Sequence, residues 1–187
     1  MKKQITIAIL YTLLTAVLLG LVYPLAVTGM ARMLFPRQAE GSLLRRDGSV
    51  IGSALIGQAF TGPRYFHSRL SNAGAGYDAT ASSGSNLAPT SKGLIDRTQA
   101  SVVAEGNCAP VPVDLVTASA SGLDPDISPA AALYQVPRVA AKRALPVPVV
   151  EELVREHTTQ RQLGLLGEAR VNVLELNLAL DAMTERH

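Results

Sequence analysis

The chain has 187 residues, with 17 Lys and Arg against 15 Asp and Glu, which gives a formal net charge of +2. So small an excess, without a basic stripe, gives no reason to expect a nucleic-acid surface. Trp is absent and aromatic residues make up 4% of the chain, so Leu, Val, Ile and Ala must build the core. A lone Cys108 excludes an internal disulfide, and the three histidines (His67, His157 and His187) are too far apart in sequence to suggest a metal site.

The N-terminal segment predicts a membrane anchor. Residues 4–31 carry no charge, and Lys2 and Lys3 stand directly before them. As a helix, residues 5–27 would be roughly 34 Å long, which is enough to cross a hydrocarbon core of about 30 Å. A cleaved signal peptide and a buried core helix are the alternatives, but the stretch is long for a signal and lacks an A-x-A exit. We expect a retained anchor in residues 1–31, with Pro24 removing one helical donor near its end.

The charges that flank the anchor bear on its orientation. Lys2 and Lys3 favour a cytoplasmic N-terminus, whereas Arg32 and Arg37 on the other flank oppose it. Long domains cross the membrane largely regardless of such charges. The expected topology is therefore an inside N-terminus and one extracytoplasmic domain, residues 32–187.

The first part of that domain is predicted to contain a long loop. Residues 49–57 have the composition of a short strand, and residues 58–90 then form a loop that is mostly small or polar from residue 71. Aromatic side chains within such a loop suit a surface that docks on another protein. The candidate interface residues are Phe60, Tyr65, Phe66, Tyr77 and Asn86, together with Gly20 in the anchor. For Phe60 and Phe66 the alternative is a place in the core.

The second part is predicted to consist mainly of helices. The expected elements are a helix over residues 91–105, a buried strand over 113–118, a helix from Ser128 interrupted at Pro137, a helix from Pro148, and a C-terminal helix over 171–183 capped by Asn172. The fold class is therefore a single N-terminal transmembrane helix plus one α/β (α+β) soluble domain with a small sheet and several helices.

Residues 114–132 carry the densest chemical signal. Hydroxyls, carboxylates and a helix N-terminus follow one another at Thr117, Ser119, Ser121, Gly122, Asp124, Asp126 and Ser128. Paired aspartates could hold a cation, the hydroxyls with the helix N-terminus an anion, and a serine could be a nucleophile. The structural alternative is that Asp124 and Asp126 cap backbone donors around a tight turn. The absence of GxSxG makes the nucleophile the weakest of these readings.

The same segment resembles a known family. Residues 115–132 (LVTASASGLDPDISPAAA) are similar to the hallmark of KdpC, the small subunit of the Kdp potassium-transporting P-type ATPase. The resemblance extends over nearly the whole chain, through Tyr23-Pro24, Tyr65-Phe66 and residues 171–181 (VNVLELNLALD).

The resemblance implies an accessory subunit, neither pore nor phosphorylated motor, of an ATP-driven, high-affinity potassium import complex in the bacterial inner membrane. Such a subunit would be needed for assembly and activity, and the family has been proposed to act as a catalytic chaperone that raises the ATP affinity of the pump subunit. Its implied partners are a channel-like pore subunit, the P-type ATPase subunit and a small single-helix subunit.

The resemblance also implies sites. Nucleotide contacts would fall on Thr117, Ser119, Ser121, Gly122 and Gln135. From the residues themselves, Asp124, Asp126 and Ser128 are expected to form a structural turn. The chain would hold no tightly bound cofactor and no metal, because ATP and potassium are handled by the complex. It would not be an enzyme on its own, and it lacks a Walker A motif and the Asp-Lys-Thr-Gly of a phosphorylated motor. The competing class is a membrane-anchored extracytoplasmic serine hydrolase that uses Ser119 or Ser121.

Overall fold

A computed structural model describes residues 1–106 and 110–184, arranged as two compact units with a boundary between Ile51 and Gly52. Cys108 lies outside the described residues. Each unit is considered by itself below.

The first unit begins with one long apolar helix, as the sequence predicted. Its parts are α1 (Lys2–Val17), a π-helical turn (Leu18–Val22) and α2 (Tyr23–Leu34). Over Lys2–Leu34 the mean hydropathy of the most apolar stretch is 2.5, and none of that stretch is buried. The helix is long and apolar enough to span a membrane. A short helix α3 (Pro36–Ala39) and a hairpin of β1 (Leu43–Arg46) and β2 (Ser49–Ser53) follow it.

The π-helical turn ends at Val22, two residues before Pro24. The Tyr23 N–H donates to the carbonyl of Leu18, five residues back, instead of the usual four. Because Pro24 has no N–H, the normal bond to Gly20 is missing, and a wider turn is one way to adjust to that loss. Nearby hydroxyls bond back to the helix as expected in lipid: Thr15 Oγ1 lies 2.9 Å from the Tyr11 carbonyl oxygen.

The second unit combines a small sheet with five helices among its described residues. Its strands form an antiparallel sheet in the order β3–β5–β4. The elements are α4 (Lys92–Glu105), α5 (Val113–Val116), β3 (Asp126–Ile127), α6 (Pro129–Arg143), α7 (Val147–Glu156), β4 (Thr158–Thr159), β5 (Arg170–Asn172) and α8 (Val173–Thr184). Residues 54–91 contain neither a helix nor one of these strands.

The core lies among α6, α7, α8 and β5. Its fully buried large apolar side chains are Phe66, Val136, Val139, Val150, Val154, Val171, Val173, Leu176 and Leu180. Burial of each such side chain contributes about 1.5–3 kcal/mol relative to exposure. As the composition indicated, aliphatic residues supply most of this core.

The strand predicted over residues 113–118 was wrong. Pro112 precedes a single helical turn, α5, which buries Leu115 and Val116. Asp114, in the same turn, accepts a hydrogen bond from the Ser128 N–H at 2.6 Å. A short apolar run has no period long enough to separate a buried strand from a buried helical turn. Of the predicted strand, only Ala118 forms a bridge, which is parallel to Leu70.

The interruption predicted at Pro137 was also wrong, because α6 continues through it to Arg143. The flanking residues Val136 and Val139 are fully buried, and their packing offsets the lost backbone bond. The predicted cap is confirmed: Ser128 Oγ accepts the Ala131 N–H at 3.1 Å.

The C-terminal helix is confirmed with a shifted start. Asn172 Oδ1 accepts the Glu175 N–H at 3.1 Å, as an N-cap should. Val171, however, belongs to β5, so α8 begins at Val173. The strand β5 therefore ends at Asn172, the residue that caps α8, and the helix follows the strand directly.

Candidate functional site

Residues 63–70, here called the clamped segment, are irregular backbone held by side chains. Asn177 on α8 is 1% exposed and bonds both backbone groups of Phe66, with 2.9 Å to the nitrogen and 2.9 Å to the carbonyl oxygen. Gln135 on α6 does the same for His67, at 2.7 and 3.1 Å. These two buried side-chain amides pair the backbone N–H and carbonyl groups of Phe66 and His67, as a neighbouring strand would in a sheet. Such pairing is needed because buried backbone groups must be hydrogen-bonded.

Arginines from α6 extend the same arrangement. Arg138 donates to the carbonyl oxygens of Pro63 at 2.8 Å and Tyr65 at 3.0 Å, and Arg143 donates to that of Arg64 at 2.8 Å. The Arg143 side chain is 3% exposed, pairs with Asp181 on α8 at 2.7 Å, and lies 4.7 Å from the centre of the Tyr65 ring. A buried cation of this kind is tolerated because it is paired and hydrogen-bonded.

The Asp124–Asp126 turn contacts the C-terminal end of the clamped segment through Arg69. Asp124 pairs with Arg69 at 3.2 Å, and its second oxygen accepts the Asp126 N–H at 3.1 Å. Asp126 pairs with Arg170 at 3.0 Å. Burial raises the pKa of the Asp126 carboxyl, Arg170 opposes that rise, and the negative charge of Asp124 adds to it. Each aspartate is therefore already engaged by an arginine.

An open cleft of about 410 Å³ lies beside this turn. Its lining is charged but mixed: Arg69, Asp114, Asp124, Asp126, Ile127, Ser128, Glu168, Ala169 and Arg170. Within residues 1–106 and 110–184, no group of three or more His, Cys, Asp or Glu is arranged to hold a metal ion. The carboxylates that line the cleft are bonded to arginines or to backbone N–H groups, so each of them already has a partner within the domain.

The hydroxyl residues and the glycine expected to touch a nucleotide make bonds and close contacts within the domain. Thr117 Oγ1 donates to the Val113 carbonyl oxygen at 2.7 Å, and Ser119 is 5% exposed, with its N–H directed to Leu70. The Ser121 carbonyl accepts the Ser83 N–H at 3.0 Å. Gly122 has φ +66°, and a Cβ there would lie 2.6 Å from the Ser83 carbonyl oxygen. Glycine is required at this close approach.

Gln135, the fifth nucleotide candidate, is 2% exposed. Its Oε1 accepts from His67 and Arg138, and its Nε2 donates to the carbonyls of His67 and Ala131. Its amide has no group left for a ligand, and none of the five candidates lines the 410 Å³ cleft. The bonds of Gln135 thus lie within the domain.

The aromatic residues expected at a partner interface belong largely to the domain itself. Phe66 is fully buried in the core, which corrects its assignment to the interface. Phe60 packs against that core, and its ring centre lies 5.5 Å from that of Tyr65. The Tyr77 hydroxyl donates to the Arg69 carbonyl, and burial raises the pKa of that phenol. Of the predicted interface set, Asn86 and Gly20 are exposed.

A serine nucleophile gains no support from the histidines. His67 Nε2 lies 3.0 Å from the Gly62 carbonyl oxygen, and His157 Nδ1 lies 2.9 Å from that of Leu153. The third histidine, His187, lies outside the described residues. Within the described part of the chain, neither imidazole bonds to Ser119 or Ser121.

Sequence reasoning missed four side chains that hold the clamped segment: Arg138, Arg143, Asn177 and Asp181. One signal could have revealed Asn177, because it is a polar residue within the otherwise apolar face of residues 171–181. The arginines gave no such signal, since the predicted break at Pro137 separated them from the ordered part of the helix.

Comparison with known proteins decides the family. Residues 5–182 match the family described as KdpC: K+-transporting ATPase, c chain. The chain belongs to this family. A relative from Acidobacterium capsulatum is 62% identical over 177 residues, which cover 94% of this chain and 96% of the relative. One from Koribacter versatilis is 54% identical over 184 residues, covering 97% and 95%. Both are described as the potassium-transporting ATPase KdpC subunit.

Proposed function

We propose that this chain is the accessory subunit of an ATP-driven, high-affinity potassium importer, and that it supplies neither the pore nor the phosphorylated aspartate. The observation that carries the proposal is the extent of the family match, which runs through the apolar helix and nearly all of the second unit. Two relatives named as a potassium-transporting ATPase KdpC subunit match it over 96% and 95% of their own length. The sequence contains no Walker A motif and no filter motif such as TVGYG.

The subunit acts by contact, as an aid to assembly and activity. Its partners are the pore subunit, the P-type pump subunit and a small single-helix subunit. The internal bonding of Gln135, Ser119 and Gly122 supports an indirect route for any gain in ATP affinity of the pump subunit. In this proposal that gain is transmitted through assembly rather than through a phosphate contact made by this chain.

The proposed topology is a cytoplasmic N-terminus with the second unit outside the inner membrane. Lys2 and Lys3 at the start of α1 and the long domain that follows the helix support it. Under this topology the residues at 117–135 are a membrane thickness away from cytoplasmic ATP, which agrees with an indirect role.

Co-purification tests the subunit proposal. The full chain, tagged and co-expressed with the other subunits, is extracted in mild detergent, and potassium-stimulated ATPase activity is measured with and without it. We expect the pore and pump subunits to be recovered together with the chain, and activity to be lost without it. Recovery of the chain alone, with unchanged activity in its absence, would contradict the proposal.

Thiol labelling tests the topology. Ala79 is exposed, and Ala79→Cys in a Cys108→Ser background should react with a membrane-impermeant thiol reagent in intact cells. The matched control, Gln4→Cys in the same background, should react after the membrane is opened. The opposite pattern would place the second unit inside the cell.

A further inference from the structure

Three exposed arginines follow the apolar helix closely in the first unit, and they are called the neck arginines. Arg32 lies in the last turn of α2, Arg37 in α3 and Arg45 in β1. In the part of the chain that the structure describes, none of the three belongs to a salt bridge, whereas Arg46 pairs with Asp47. The positive charges of the neck arginines are therefore available to a ligand.

Exposed apolar side chains are interleaved with the neck arginines. Met33 is 75% exposed and Phe35 58%, directly after the first of them. On β1, Leu43 is exposed and shares a face of the strand with Arg45, two residues further on. Arginine beside exposed aromatic and aliphatic side chains is the composition of segments that lie at a membrane interface. The neck therefore matches a lipid surface both in charge and in apolar character.

The helix places the first neck arginine at the depth of the phospholipid headgroups. With residues 5–27 in the hydrocarbon core, Arg32 follows five residues later, roughly 7.5 Å further along the helix. The headgroup layer on each face of a bilayer is about 5–8 Å thick. Helical side chains lean towards the N-terminus, so the guanidinium group of Arg32 is directed back into this layer. Beyond the helix, the Ser42 N–H donates to the Arg37 carbonyl at 2.8 Å and closes a turn before Arg45.

The charge of this segment needs an explanation. Residues 32–51 contain four arginines against Glu40 and Asp47, which gives a net charge of +2. Under the proposed topology these arginines lie on the outer face of the membrane, where the positive-inside rule disfavours them. A guanidinium group binds phosphate through two parallel N–H bonds. A lipid phosphate lies at the right depth and supplies the counter-charge.

We propose that the neck arginines bind the phosphate groups of anionic phospholipids in the leaflet at the C-terminal end of the helix. The inference needs only a membrane-spanning helix and does not depend on the role proposed for the chain in the ATPase. An anionic headgroup such as that of phosphatidylglycerol is favoured over a zwitterionic one, because the zwitterionic headgroup carries an ammonium group that repels arginine. The attraction of one Lys or Arg to an anionic lipid surface corresponds to about a fivefold preference.

A tryptophan reporter tests the proposal, because the chain contains no Trp. The full chain with Phe35→Trp is reconstituted in phosphatidylcholine vesicles that contain a minor fraction of phosphatidylglycerol, and the acyl chains of one lipid carry bromine near the headgroup. Quenching by brominated phosphatidylglycerol, compared with the same fraction of brominated phosphatidylcholine, reports which lipid lies beside residue 35. We expect phosphatidylglycerol to be enriched there at least about fivefold. Equal quenching by the two lipids would overturn the proposal.

Substitutions in the reporter chain assign the enrichment to the neck arginines. The neck variant carries Arg32→Gln, Arg37→Gln and Arg45→Gln. The matched control removes the same charge from three exposed cations of the second unit, through Lys142→Gln, Arg155→Gln and Arg161→Gln. We expect the enrichment to be lost in the neck variant and unchanged in the control. Lysine at the three neck positions should keep most of it, since lysine retains the charge without the paired N–H bonds. An enrichment that survives in the neck variant overturns the proposal.

A protein partner with acidic side chains is the competing ligand. Because the quencher is part of the lipid, neither such a partner nor free phosphate produces the signal. Loss of the sister subunits from the neck variant in the co-purification experiment, with no lipid enrichment around the unsubstituted neck, would assign the arginines to a protein and overturn the proposal. Lipid enrichment in a chain that retains no sister subunits would sustain this inference while the proposed function fails.

Discussion

Two irregular segments of the second unit differ in where their hydrogen bonds go. The clamped segment, residues 63–70, gives its backbone groups to buried side chains of α6 and α8, and its Phe66 enters the core. The turn at residues 162–166, called the leucine tip, closes its own backbone hydrogen bonds and leaves Leu163, Leu165 and Leu166 in solvent. Absence of regular structure therefore does not make a segment a surface. A segment is drawn into the domain when side chains elsewhere in the domain bond its backbone groups. It stays at the surface when its backbone groups bond to each other.

The largest expected effect comes from Asn177. In Asn177→Ala, the N–H and carbonyl of Phe66 lose their partners in a buried place, and a cavity opens. We expect a loss of about 4 kcal/mol in the free energy of unfolding, from two unsatisfied groups and the cavity. Chemical denaturation of the full chain in detergent measures it. Gln162→Ala at the exposed turn is the matched control and should change stability by less than about 0.5 kcal/mol. Equal losses of stability in the two variants would show that the Asn177 bonds to Phe66 stabilise the fold no more than the exposed Gln162 side chain does.

Ion pairs provide the second comparison. Asp181→Asn leaves the Arg143 guanidinium, whose side chain is 3% exposed, without the carboxylate it pairs with at 2.7 Å. Breaking a buried pair in this way should cost about 3 kcal/mol. Glu168→Gln removes the exposed pair with Arg161 beside the leucine tip and should cost at most about 0.5 kcal/mol. The same denaturation experiment compares them, and an Asp181→Asn chain of unaltered stability would show that Arg143 does not need its partner.

Two glycines with positive φ separate close packing from backbone strain. In Gly122→Ala, the new methyl group would lie 2.6 Å from the Ser83 carbonyl oxygen, whereas at Gly164 nothing lies within 4 Å of it. Both changes carry the cost of a left-handed alanine, about 1 kcal/mol. We expect Gly122→Ala to cost about 2 kcal/mol more than Gly164→Ala, because it also overpacks the loop. A Gly164→Ala variant as unstable as Gly122→Ala would mean that the turn at the leucine tip is packed against the domain.

The smallest effect is a pH dependence from His67. Burial lowers the pKa of this imidazole below 6.5, and Arg138 lowers it further, against the raising effect of the Gly62 carbonyl. The folded state therefore favours the neutral ring: its contribution is complete above pH 6.5 and is lost as the pH falls below that value. The side chain is only half-buried, so solvent screening should keep the loss below about 1 kcal/mol. Melting temperatures between pH 7.5 and 5 should fall less in His67→Gln, and an identical fall in both chains would assign the dependence to other groups.

Local signals in the sequence predicted most of the elements. The uncharged stretch gave the long helix, and Ser128 and Asn172 marked the starts of α6 and α8, because capping depends on neighbouring residues alone. The break expected at Pro137 failed because the packing of Val136 and Val139 outweighs one lost bond.

The site could be predicted less well, for a physical reason. Residues 114–128 were correctly recognised as a place where polar groups gather, but their partners lie far away in sequence, such as Arg69 for Asp124 and Arg170 for Asp126. The composition of the loop suggested exposure of its aromatics, whereas Asn177 and Gln135 draw that backbone into the domain. Long-range side-chain bonds of this kind leave no period or spacing in the sequence.

Hydrogen exchange on the assembled complex and on the isolated full chain, with protection read segment by segment, tests the account most directly. The account predicts that the amides of Tyr65, Phe66 and His67 are strongly protected in both samples, since they bond inside the domain, and that the exposed turn at residues 160–169 exchanges faster in the isolated chain. If instead residues 65–67 exchange as freely as residues 160–169 in the isolated chain and become protected on assembly alone, the clamped segment is the docking surface and the account is contradicted.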